Sequence, residues 1–128
     1  MKVDGGVGFE LDTVGVQAQE LEEMGYSGIM TAETAHDPFF PLLVAAQNTQ
    51  KVELITSIAV AFARTPMILA NIGHDLNAYS KGRFVLGLGS QIRPHITKRF
   101  SMPWSSPAAR MREYILAMRA IWSNWHTG

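Results

Sequence analysis

The chain predicts an α/β fold of four strand–helix units, and three observations predict it. Short apolar runs rich in β-branched residues alternate with segments whose apolar residues recur every three or four positions. Three of the helical segments open on a cap residue followed by proline: Asp37-Pro38, Thr65-Pro66 and Ser106-Pro107. The repeat is roughly 25 to 30 residues, the size of a βα unit. A sheet covered on both faces by such helices has parallel strands. Element order alone leaves open a doubly wound sheet or part of a (β/α)8 barrel.

The first strand is expected between Met1 and Phe9, loosened by Gly5, Gly6 and Gly8. Asp12 can then cap a helix to about Met24, with Val14, Ala18, Leu21 and Met24 on its apolar stripe and Gly25 as its stop. Ser27 to Ala32 reads as the second strand. Asp37-Pro38 opens a helix running through Phe39, Phe40, Leu43 and Ala46. Val52 to Val60 reads as the third strand. Thr65-Pro66 starts a helix with Ile68, Leu69, Ile72, Leu76 and Tyr79 inward. Phe84 to Leu88, after the turn Ser80 to Gly82, fits a fourth strand buried on both faces. The last helix carries Met111, Ile115, Met118, Trp122 and Trp125 at helical spacing.

With 128 residues the chain fits one domain, residues 1–128, and is too short for a full barrel, which takes about 250 residues. Its composition is 47% hydrophobic and 17% charged with a formal net charge of zero, ordinary for a globular protein. No basic excess points to a nucleic acid or an anionic membrane, and no apolar run has the length of a bilayer span. The absence of cysteine removes disulfides and thiolate chemistry and fits a cytoplasmic setting.

In parallel α/β folds ligands bind beyond the carboxyl ends of the strands. After the second strand stand Glu33, which can accept a hydrogen bond, and His36, which can transfer a proton near neutral pH. The alternatives are a solvated Glu33 and a His36 that merely helps cap the next helix. The basic loop Gln91 to Phe100 has the look of a lid, with Arg93, Lys98 and Arg99 as candidate anion contacts. Gly87-Leu-Gly-Ser-Gln-Ile92 lacks the third glycine and the following helix of a dinucleotide fingerprint. The four histidines have no metal-ligand spacing, and no Gly-x-Ser-x-Gly elbow is present.

Ser80-Lys-Gly-Arg-Phe-Val-Leu-Gly-Leu-Gly89, Ala32-Glu33 with its following histidine, Thr56-Ser-Ile-Ala-Val-Ala-Phe-Ala-Arg-Thr-Pro66 and Tyr114 to Trp122 together resemble the bacterial luciferase-like flavin and deazaflavin oxidoreductases. The wording is most similar to the branch assigned to coenzyme F420. The resemblance implies a (β/α)8 TIM-barrel type of fold, here its N-terminal half of about four units. It implies hydride transfer between a small organic substrate and F420, with an FMN-dependent monooxygenase as the alternative. A non-catalytic half-barrel that binds or dimerises is the reading from another class. By the same resemblance, Thr56, Ser57, Ile58 and Ala59 would hold the ring, with a cis peptide bond at Ser57-Ile58. Gly87 and Gly89 would give the ring clearance, Glu33 would fix polar edges, and His36 would give or take a proton. Open strand edges predict a homo-oligomer or pairing with a complementary half-barrel.

Overall fold

A computed structural model describes residues 1–127. The strands are β1 (Asp4–Gly6), β2 (Gly28–Thr31), β3 (Glu53–Thr56), β4 (Ala59–Val60), β5 (Phe84–Val85) and β6 (Leu88–Gly89). The helices are α1 (Leu11–Glu23), α2 (Phe39–Asn48), α3 (Pro66–Tyr79) and α4 (Pro107–Thr127). The chain sorts into two compact units. The first holds residues 1–59 and 75–87, and the second holds residues 60–74 and those from Leu88 on.

The first unit contains a parallel sheet in the order β1-β2-β3-β5. Ile29 lies opposite Gly5 and Leu54, and Ile55 lies opposite Val85. Strands follow one another in chain order, without the reversal that marks a doubly wound sheet. This is the winding of a (β/α) barrel, present here as a partial sheet. Val14 and Ala18 of α1, Leu42 and Ala45 of α2, and Ile29, Val52 and Leu54 form the core between helices and sheet. Removing a fully buried leucine such as Leu42 or Leu54 costs about 2–5 kcal/mol.

Caps and faces depart from expectation where neighbouring turns compete. Helix α1 starts one residue before Asp12, because the Glu10 carbonyl accepts from Thr13 and Val14. Asp12 then sits in the first turn, where a negative charge favours the helix dipole. Asp37 does cap α2: its Oδ1 accepts from the Phe39 and Phe40 amides at 2.7 and 3.0 Å. The buried stripe of α2 is Phe39, Leu42, Ala45 and Ala46, leaving Phe40 and Leu43 exposed. Thr65 caps α3 through Oγ1, which accepts from the Ile68 amide at 3.2 Å. There Leu69, Ala70 and Leu76 are buried, while Ile68 and Tyr79 are exposed.

The third strand, expected to run unbroken from Val52 to Val60, is interrupted after Thr56, and the Ser57–Ile58 peptide bond is cis. The fourth is also split, at Leu86–Gly87, and is not buried on both faces. Val85 is 41% exposed because β5 stands at the edge of its sheet.

The second unit includes β6, paired with β4, and a π-helical turn, His95–Arg99, where a loop was expected. Ile96 anchors that turn with a fully buried side chain. In α4 the buried residues are Tyr114 and Met118, and Ile115 and Trp125 of the expected stripe are about 40% exposed. The Tyr114 hydroxyl donates to the Arg64 carbonyl at 3.0 Å, and Trp122 Nε1 donates to the Ala70 carbonyl at 3.0 Å. The polar tips of these aromatics thus find carbonyl partners while their rings pack. No helix among the described residues is long and apolar enough to cross a membrane.

Candidate functional site

The residues singled out after the second and third strands converge in the first unit. The Ser57 amide donates to the Thr31 carbonyl at 2.6 Å, and the Glu33 amide donates to the Ile58 carbonyl at 3.0 Å. These bonds carry the ladder of β2 and β3 past its regular end and fix both strand termini together. Thr31 Oγ1 donates to the Pro38 carbonyl at 2.8 Å, closing the base of the loop that carries Glu33 and His36. Asp37 seals the far side of that loop as the α2 cap, so the cap role considered for His36 belongs to its neighbour.

Glu33 is buried, at 7% exposure, so it is not a solvated surface acid. His36 is exposed, and its imidazole stacks on the Phe9 ring, with centroids 5.1 Å apart and planes 23° from parallel. A stacked partner covers one face of the imidazole and leaves both nitrogen edges available. Phe9 ends the first strand that the sequence predicts, but the sequence reading gave it no role of its own. An aromatic residue at a strand terminus was the available signal.

Four residues expected to hold a ring divide sharply by access. Thr56 and Ala59 are 0% exposed, Ile58 is half-buried and Ser57 is exposed. The Thr56 hydroxyl is committed: it donates to the Gly87 carbonyl and accepts from the Gly87 amide, both at 2.9 Å. The Ala59 amide also donates to Gly87, at 2.9 Å. Thr56 and Ala59 are therefore strand clasps and present no surface to a ligand.

At Gly87 a Cβ would run into the Thr56 carbonyl oxygen, so the missing side chain admits β3's own backbone. Gly89 lies on β6 in the second unit and is half-buried. The reachable groups of the first-unit arrangement are Ser57, part of Ile58 and His36.

In the second unit, Arg93, Lys98 and Arg99 stand around the π-helical turn, and Arg93 and Lys98 are exposed. Arg110 lies over the Phe62 ring, 4.3 Å from its centroid. Burial raises the Tyr114 pKa above its ordinary value, outweighing the positive charges of Arg64 and Arg110, which lower it. A cavity of about 240 Å³ opens beside Gly6, Gly8, Gln17, Glu20, Leu21 and Met24, and none of the expected site residues lines it. Among the described residues no cluster of three acidic or histidine side chains is placed to hold a metal.

Sequentially ordered parallel βα units, with exposed polar groups beyond the strand ends, define a barrel-type α/β protein. The profile of the luciferase-like monooxygenase family matches residues 2–127, and the chain belongs to that family. Uncharacterized proteins of Mycobacterium tuberculosis and Mycobacterium bovis are 59% identical over 128 residues, all of this chain. The chain spans 38% of their length. A Mycobacterium tuberculosis protein provisionally named a coenzyme F420-dependent oxidoreductase is 35% identical over 103 residues, which is 80% of this chain and 30% of that one.

Among solved structures, the monooxygenase RslO1 from Streptomyces bottropensis superposes with a TM-score of 0.83 at 25% identity, over 95% of this chain and 43% of that one. The FMN-complexed oxygenating constituent of 3,6-diketocamphane monooxygenase from Pseudomonas putida gives 0.81 at 18% identity, over 95% of this chain and 40% of that one. At that identity the likeness is one of fold.

Proposed function

We propose that this chain forms the ring-facing part of a flavin-dependent monooxygenase, with FMN as the cofactor and a small organic molecule as substrate. The observation that carries the reading is the rigid, reachable end of β3. Ser57 is exposed and Ile58 half-buried, while their own backbone groups are held by Thr31 and Glu33 and the flanking Thr56 and Ala59 are held by Gly87. Such a platform suits one face of a flat ring, and membership of the luciferase-like family supports the same use of it. F420, the cofactor the sequence wording favoured, takes second place because the fold matches include an FMN complex and several monooxygenases.

Reduced FMN, when bound, supplies the electrons for oxygen chemistry. The chain's own contribution is positioning and proton handling. Ile58 offers apolar contact to a ring face, and the Ser57 hydroxyl can donate or accept at a polar edge. His36 holds or moves a proton at a ring nitrogen, with Phe9 limiting which way the imidazole turns. Glu33, buried, keeps the loop at its distance from β3 through the hydrogen bond its backbone amide donates to the Ile58 carbonyl.

Hydride transfer with F420 is the second reading, favoured by the 35% identical relative named for that coenzyme. Titrating the protein with FMN and with F420 while following ring fluorescence separates the two. Saturable FMN binding at tens of micromolar, weakened by Ser57→Trp, supports the proposal. Preference for F420 selects the second reading, and binding of neither leaves a non-catalytic module.

A further inference from the structure

Between β6 and α4 the second unit carries two stretches that are held in different ways. Residues 91–100 are braced from within. The His95 and Ile96 amides donate to the Ile92 carbonyl at 3.1 and 3.2 Å, and Thr97 Oγ1 donates to the Arg93 carbonyl at 3.0 Å. The Ile96 side chain is fully buried. Residues 101–106 have no regular structure. They begin at Ser101, whose φ of 54° is a strained value for a residue with a side chain.

Three contacts hold this second stretch down. The Met102 amide donates to the Ile96 carbonyl at 3.0 Å. Arg110, in the first turn of α4, reaches back and donates from Nη1 to the Pro103 carbonyl at 2.7 Å. The half-buried Trp104 ring meets the Phe62 ring edge-on, with centroids 6.1 Å apart. Phe62 lies in the 3₁₀ turn Ala61–Ala63 directly after β4 and is 0% exposed. Its ring also takes the Arg110 guanidinium, 4.3 Å from the centroid, so Arg110 ties the stretch to the residue beneath it. No ion pair among the described residues engages Arg110.

Helix α4 has anchors of its own. Tyr114 and Met118 are buried, and the Tyr114 hydroxyl and Trp122 Nε1 hold the carbonyls of Arg64 and Ala70. A segment with few hydrogen bonds opens at a lower free energy than a packed helix, so residues 101–106 can lift while α4 stays. We propose that these residues form a strap over Phe62, hinged at Ser101 and latched by Arg110, that opens independently of the helices. Closed, it seals the Phe62 ring from water. Open, it presents that ring just past the carboxyl end of β4, the side on which parallel α/β folds receive ligands.

Hydrogen exchange followed by NMR tests this, with the Met102 amide reporting the strap and the Met118 amide reporting α4. In the native protein the Met102 amide should exchange about tenfold faster or more, and low urea should hardly change its rate, since local opening exposes little surface. Arg110→Met keeps an unbranched apolar stem and removes the latch. It should speed Met102 exchange about 10- to 100-fold, the loss of a charged hydrogen bond, while Met118 changes little. With 5-fluorotryptophan incorporated, the same variant should move the Trp104 fluorine resonance and leave that of Trp122 in place. A native Met102 amide that exchanges only together with Met118 overturns the proposal. So does an Arg110→Met variant that accelerates both amides equally, or neither. If Arg110→Met fails to fold, Phe62→Leu keeps the position apolar and removes the ring that Trp104 and Arg110 share. It should give the same selective acceleration of Met102, and its absence there overturns the strap.

Discussion

Thr56 and Gly87 exchange two hydrogen bonds through one hydroxyl. Oγ1 of Thr56 donates to the Gly87 carbonyl and accepts from the Gly87 amide, each at 2.9 Å. A side chain thus substitutes for the backbone ladder where the sheet leaves its regular register. Thr56→Val keeps the shape and removes both bonds, leaving the Gly87 amide short of a partner while the Gly87 carbonyl keeps its bond from the Ala59 amide. The expected loss is about 1–3 kcal/mol in urea unfolding. Gly87→Ala meets the Thr56 carbonyl and should cost at least as much, about 1–3 kcal/mol or more. Gly25→Ala provides the comparison: it strains a positive φ in open space, at about 1 kcal/mol.

Arg83 spends its guanidinium on one turn. It donates to Thr49 Oγ1 and the carbonyls of Ala46, Thr49, Val52 and Ser80, at 2.9 to 3.2 Å. Lysine cannot reproduce this planar fork. Arg83→Lys should therefore recover less than half of the loss of Arg83→Ala, itself about 2–4 kcal/mol. Thermal unfolding of the two variants checks the ratio.

Glu22 covers the amide side of the same turn, accepting from Gln50, Lys51 and Val52 at 2.8 to 3.1 Å. Burial alone would raise its pKa. The three amides and the Arg83 charge outweigh that and hold it below the ordinary 4.5. A depressed folded pKa means the unfolded state binds the proton more readily. Its contribution is therefore fully present above about pH 4.5 and disappears as pH falls through the lower, folded value. Glu22→Gln should flatten that part of the acid limb of a stability–pH curve, with little change in the limb's shape above pH 6.

Tyr114 predicts an effect at the other end of the scale. Its raised pKa means that, as pH climbs beyond the ordinary tyrosine range, the unfolded phenol ionises first and stability falls. Ultraviolet titration should show one of the three tyrosines ionising late. Tyr114→Phe should abolish that late step and cost about 1 kcal/mol through the lost bond to the Arg64 carbonyl.

His36 carries the functional prediction. His36→Asn should lower kcat about 10²–10⁴-fold while FMN affinity changes little, if the imidazole handles a proton. Phe9→Leu should release the ring and remove the upfield shift that stacking imposes on the His36 proton resonances. Steady-state kinetics and proton NMR read these separately.

Much of the fold was legible because it rests on local signals. Asp37 and Thr65 do cap their helices, and three of the four parallel strands lie in apolar runs beside turn residues, the exception being the glycine-rich β1. Helix faces were harder. Periodicity was read as one stripe on α2 and one on α4, and the face that is buried depends on what the helix meets, not on its own sequence. Phe40 and Ile115 lost to Leu42 and Tyr114 for that reason. The position of the loop carrying Glu33 and His36, beyond the end of β2, was readable. The split between reachable Ser57 and clasped Thr56 was not, because Gly87 is 31 residues away in sequence.

The two sides of the α2–β3 turn are closed by residues made at different times. Glu22 precedes its amides by 28 to 30 positions, so it has already left the ribosome when they emerge. Arg83 follows the carbonyls it caps by as many as 37 positions. During vectorial synthesis the nascent chain thus acquires its anionic brace first and waits for its cationic one. The turn's carbonyls stay hydrated until most of the first unit has been translated, which places its final locking late in biogenesis.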